Sequence, residues 1–160
     1  MKHSVKTGFS FGLTSAVITT LGLIAGLYSG TSSKSAVLGA VIMVALADSL
    51  ADALGIHVSE ESENSHSHKT VWEATLSTFL FKSVVTLTFA VPFIFLELPR
   101  AVWVSILWGL LLLSVFSFYL AKDRGARGPA VIAEHLLIAA FVVVCTYSIG
   151  LWIASRFGQI

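Results

Sequence analysis

Five long apolar runs leave this chain few ways to fold. They cover roughly residues 8–28, 36–58, 71–96, 101–120 and 130–153. A bilayer crossing takes about 20 predominantly apolar residues in a helix, and a barrel strand about half as many. In hydrocarbon every backbone polar group must be satisfied inside the protein, so runs of this length span as helices. The sequence therefore predicts an all-α integral membrane protein, a single domain of 160 residues with five transmembrane helices. Composition agrees, because only 12% of residues are charged, about half the soluble norm of roughly 25%.

Lys2 and Lys6 precede the first run as they would in a signal peptide. That run is too long and too rich in Ser and Thr for a signal core, and the "SGTSSKSA" after it is a poor cleavage site. It is expected to stay as a helix. The net charge of +1 gives no basis for nucleic-acid binding. The single cysteine, Cys145, rules out a disulfide within one chain.

Most connections are short, and the 59–70 segment "SEESENSHSHKT" is the one expected to form a longer loop. With five spans, the N-terminus, this loop and the 121–129 connection share a side. That side carries Lys2, Lys6, Lys69, Lys122, Arg124 and Arg127, against Lys34, Arg100 and Arg156 on the other. The excess of Lys and Arg predicts a cytosolic N-terminus and an outside C-terminus.

The chemistry lies in charges where lipid should be. Asp48 and Asp52 sit one helical turn apart in the second span, and Lys82 sits in the third. A charge at mid-bilayer costs about 2.5–3.5 kcal/mol on insertion scales, so such residues face the protein interior and mark pathways. Asp48 lies about 15 Å from the cytosolic surface and Lys82 about 16 Å, at 1.5 Å per residue. The spacing predicts an Asp48–Lys82 ion pair. Asp52 lies nearer the cytosol on the same face as Asp48, with His57 at the mouth. Beyond it, Glu60, Glu61, Glu63, His66 and His68 crowd into nine residues. Carboxylate with imidazole suits Fe, Mn, Zn or Ni better than Ca. In the first span, Phe11, Ser15, Thr19, Gly22 and Gly26 share a face, and glycines 8, 12, 22, 26 and 30 have the spacing of closely approaching helices.

Two stretches carry a family resemblance. "FGLTSAVITTLGLIAGL" resembles the first helix of the vacuolar iron transporter family, which often reads Asp-Gly-Leu, a Thr-rich stretch, then Ala-Gly. "ALADSLADALGIHVSEESE" resembles its second helix, with Ala47, Asp48, Leu50, Ala53, Gly55, Ser59, Ser62 and Glu63 agreeing without a gap. The third and fifth spans resemble it more loosely. The resemblance, which is to small bacterial members, implies a homodimeric exporter of Fe(II) or Mn(II) in a prokaryotic cell membrane, exchanging the metal for protons. It also implies a path between two first helices, with no permanently bound cofactor.

This chain departs from the family at the path itself. Phe11 stands where the family has a first-helix aspartate, Asp52 where it has a methionine, and Ile56 where it has a glutamate. Lys82 replaces an apolar residue, and the family's cytosolic metal-binding domain shrinks to 59–70, where Glu63 and His66 match its opening Glu-x-x-His. The expected metal ligands are Asp52, Asp48, Glu63, His66, Glu60 and His68. Lys82, His57, Phe11, Ser15 and Thr19 are expected along the path or in its coupling. The alternative is a non-transporting relative, a membrane interaction protein that has lost the path through Phe11. An enzyme is not expected: Asp48-x-x-x-Asp52 resembles a Mg-phosphate motif, but the further Asp and Arg residues it needs are missing. Haem ligation by His57 and His135 has only their positions near span ends in its favour.

Overall fold

The computed structural model describes residues 3–63 and 67–158. It is all-helical, with α1 (His3–Thr31), α2 (Lys34–Ser62), α3 (His68–Thr88), a short α4 (Ala90–Phe95), α5 (Leu98–Arg124) and α6 (Gly128–Phe157). Five stretches are long and apolar enough to cross a membrane: Ser4–Thr31, Lys34–Ser62, His68–Phe95, Leu98–Asp123 and Gly128–Phe157.

The helix ends follow from their sequences. Ser33 and Ser67 cap α2 and α3 by accepting from the amides of Ala36 and Thr70. Pro99 and Pro129 stand in the first turns of α5 and α6, where a missing N–H costs nothing. Gly125 ends α5 at φ 64°, the left-handed conformation that glycine adopts freely. The third span was expected to be continuous but is interrupted at Phe89. The cause is Pro92, which has no N–H for the carbonyl of Thr88 and clashes with it. The 59–70 loop is also shorter than expected. Ser59–Ser62 continue α2 and His68–Thr70 open α3, because Ser and Glu tolerate a helix end and Ser67 caps the next helix.

The central element is α1, which packs against α2, α3, α5 and α6. Its N-terminal end is tied to the ends of two neighbours. Ser4 Oγ donates to Glu73 Oε2 at 3.1 Å, and Lys6 pairs with Asp123. The glycines whose spacing predicts a closely approaching helix meet α3 and α6 of the same chain. A Cβ on Gly8 would sit 2.5 Å from the Ala74 carbonyl oxygen, and one on Gly12 would sit 2.9 Å from that of Thr78, both on α3. Gly26 and Gly30 face Thr146 and Gly150 on α6 in the same way. Ser29 Oγ donates to the Tyr147 carbonyl at 2.8 Å across this contact. The spacing was read correctly as close helix approach, but the partner helix lies within the chain.

Gly150→Ala should therefore separate α1 from α6, since its Cβ would lie 2.3 Å from the Gly26 carbonyl oxygen. Overpacking of this kind costs about 1–3 kcal/mol. Gly55→Ala, with nothing within 4 Å, should gain up to about 1 kcal/mol from helix propensity. Thermal unfolding in detergent checks both, and equal melting temperatures for the two variants would remove this packing account.

Candidate functional site

The site is built where α1, α2 and α3 meet. Lys82 is fully buried, 0% exposed, on the face of α3 that also buries Thr75, Thr78 and Thr86. Its ammonium has three protons to place. Nζ donates to Ser15 Oγ at 2.9 Å and to Asp52 Oδ2, and Asp48 Oδ2 lies 2.5 Å away. The Asp48 contact is an ion pair without hydrogen-bond alignment. Ser15 closes the arrangement by donating to Asp52 Oδ2 at 2.6 Å while accepting from Lys82.

The expected Asp48–Lys82 pair is present, and Asp52 shares the same ammonium. Residues one turn apart on a helix lie about 6 Å apart along its axis, so one long lysine side chain reaches both. The carboxylates are not sealed in, with 34% of the Asp48 side chain and 23% of that of Asp52 exposed. Two carboxylates against one ammonium leave the cluster one charge short of neutrality. Along α1, Phe11 lies one turn from Ser15 toward the N-terminus and is 42% exposed, and half-buried Thr19 lies one turn the other way.

Among the described residues, the remaining expected ligands do not join this cluster. His57 was expected on the route to Asp52 but is turned toward α3. Five residues rotate a helix by about 140° beyond a full turn, which carries His57 away from the Asp48–Asp52 line. Thr75 donates its hydroxyl proton to the Val71 carbonyl at 2.8 Å, so its oxygen accepts from His57 Nδ1 at 2.9 Å. The His57 ring also meets the edge of Trp72. His68 accepts from the Trp72 indole at Nε2, 3.3 Å away. Glu60 lies in the last turn of α2 and Glu63 at its C-cap, while His66 lies outside the described residues. Among the described residues, no three His, Cys, Asp or Glu side chains form a group able to hold a metal.

Among the polar contacts without warning in the sequence are the Lys6–Asp123 pair, and His135 Nδ1 with Ser117 Oγ at 2.7 Å. Their partners are 117 and 18 residues apart in the chain, so no helical spacing links them. His135 is thus held by a serine between α5 and α6. Comparison with protein-family models and with curated proteins gives no match.

Charge balance orders the expected mutational effects. Asp48→Asn leaves Lys82 paired with Asp52, whereas Lys82→Met leaves two carboxylates facing each other without a cation. Removing one member of a buried ion pair typically costs about 3–5 kcal/mol. Lys82→Met should lie in that range and Asp48→Asn well below it, and adding Asp52→Asn to Lys82→Met should recover part of the loss. Unfolding of the four proteins in one detergent gives the comparison. An Asp48→Asn chain less stable than Lys82→Met would reverse the expected order and refute the shared-cation arrangement.

Proposed function

We propose that this chain exports a divalent transition-metal cation, Fe(II) or Mn(II), from the cytosol in exchange for protons. The observation that carries the proposal is the fully buried Lys82 lying against both Asp48 and Asp52. Ionisable groups buried in membrane spans are costly and mark ion and proton routes. A dication and an ammonium do not share one pair of carboxylates. At about 4 Å and an effective dielectric near 20, their repulsion is about 8 kcal/mol. Loss of the ammonium proton to water would remove it. Metal on Asp48 and Asp52 with neutral Lys82 is charge-balanced, so entry of the metal expels at least one proton. Oxygen ligands favour Mn(II) and Fe(II) over softer metals.

In this reading the excess of Lys and Arg places the N-terminus, Glu60, Glu63 and His68 in the cytosol, where they gather the cation. His66 is counted with them from the sequence. His68 contributes after Trp72 releases its Nε2. Phe11, Ser15 and Thr19 line the side of α1 that leads to Asp52. A homodimer would cover the half-exposed carboxylates. Its support is the resemblance to the iron transporter family and the open Phe11 edge of α1. A small bacterial membrane protein is the setting this resemblance implies.

A second reading is favoured by two features together. Phe11 occupies the family's acidic position, and no three-residue ligand group forms among the described residues. The chain would then be a membrane interaction protein that keeps the fold, with Lys82 only neutralising its aspartates. Efflux of Fe(II) and Mn(II) from proteoliposomes separates the two. The transport reading expects efflux by the wild type and its loss, at least about tenfold, in Asp52→Ala with folding intact. An inert wild type beside an active Phe11→Asp chain would establish the second reading.

A further inference from the structure

A groove of about 430 Å³ lies where α1, α3 and α5 meet. Three rings build one side of it. Phe9 packs edge-on against Phe81 and Phe116, with ring centroids 4.7 and 5.5 Å apart. Leu112, Val115 and Tyr119 supply the α5 wall. Val115 and Tyr119 are both more than half exposed, so the groove is open along that wall. All of these residues belong to spans long and apolar enough to cross a membrane, which sets the groove against lipid. Its size falls within the roughly 300–1,000 Å³ of small-molecule sites, which are lined in this way by apolar and aromatic side chains.

One end of the groove is polar. Tyr119, Lys122 and Asp123 stand at i, i+3 and i+4 on α5 and so share a face. Asp123 pairs with Lys6 of α1, three residues before Phe9. Lys122 is exposed, and Lys6 and Asp123 are partly so. Two ammonium groups against one carboxylate leave this lip with an excess of one positive charge. At 1.5 Å per residue, Asp123 lies about 16 Å along α5 from Leu112. Half of a hydrocarbon core of about 30 Å is about 15 Å. The groove therefore has a cationic lip at headgroup level and an apolar end near mid-membrane, the polarity and length of a lipid in one leaflet. Tyrosine suits the boundary, with its ring in the apolar region and its hydroxyl among headgroups.

We propose that this groove holds one anionic glycerophospholipid. An acyl chain lies along Phe9, Phe116 and Leu112, and the phosphate rests on Lys122 and Lys6. The Tyr119 hydroxyl donates to a phosphate or ester oxygen. Basic pockets between membrane helices bind anionic headgroups in this manner. The lip's charge also favours a lipid over a second copy of the chain. A two-fold contact sets one patch against itself, and here that would bring like charges together. Bound lipid would join α5 to α1 at the end where the Lys6–Asp123 pair already links them. Neither a metal nor the Lys82 cluster is needed for this binding.

The test uses the full chain in phosphatidylcholine vesicles. These carry a trace of phosphatidylglycerol or of phosphatidylcholine with a photoreactive diazirine on one acyl chain. Labelled peptides are identified by mass spectrometry, and Phe141 on the exposed face of α6 is the control for lipid that merely surrounds the protein. The phosphatidylglycerol probe should label Phe9 and residues 112–119 about fivefold more than the phosphatidylcholine probe, the effect of one basic residue on an anionic headgroup. The two probes should label Phe141 equally. Lys122→Gln should remove the preference and Asp123→Asn should strengthen it. Lys69→Gln, at the same end of the bundle but off the groove, should leave it unchanged. Equal labelling of the groove by the two probes, or a preference that survives Lys122→Gln, would overturn the site. A groove that neither probe labels would also overturn it and would make a protein its occupant.

Discussion

The structure depends on one ammonium group in a place where an isolated charge could not persist. Lys82 is fully buried at mid-span and is held by Ser15 from α1 and by Asp48 and Asp52 from α2. Three helices are thereby fixed in register at one level. The price of burying these charges is met only while all the partners are present. The tight α1–α3 contact at Gly8 and Gly12 lies just below this level and allows the short Ser15 hydroxyl to reach the lysine. Glycine packing and ion pairing therefore support each other.

The same cluster is also the least settled part of the molecule electrostatically. One cation faces two carboxylates, both partly open to the surroundings. A purely structural pair would be expected as one acid and one base. The extra carboxylate has no cation of its own, and the side chains of Asp48 and Asp52 each keep an exposed part. Phe11 lies one turn from Ser15 on α1 and is partly exposed.

Much of the fold was legible because its signals are local. Run length gave five spans, and Ser, Pro and Gly at the helix ends gave their boundaries to within a few residues. The depth of Asp48 and Lys82 gave their pairing, since rise per residue is fixed. Depth alone does not show that one lysine reaches across a helical turn, as Lys82 does to Asp52. Run length does not show the break at Phe89, which depends on the Thr88 carbonyl that Pro92 leaves without a donor. The α1 glycines showed that another helix comes close, and spacing alone does not say whether that helix belongs to the same chain. His57 was placed on the path by its number, although helix rotation turns it toward Thr75.

The central claim is that a divalent metal and the Lys82 proton compete for the same two carboxylates. Its most direct measurement is the number of protons released when Mn(II) binds the purified protein, obtained by calorimetry in buffers of different ionisation enthalpy. The account predicts at least one proton released per metal bound by the wild type, and the loss of that proton in Lys82→Met. Metal binding without proton release, or the same release from Lys82→Met, would contradict it.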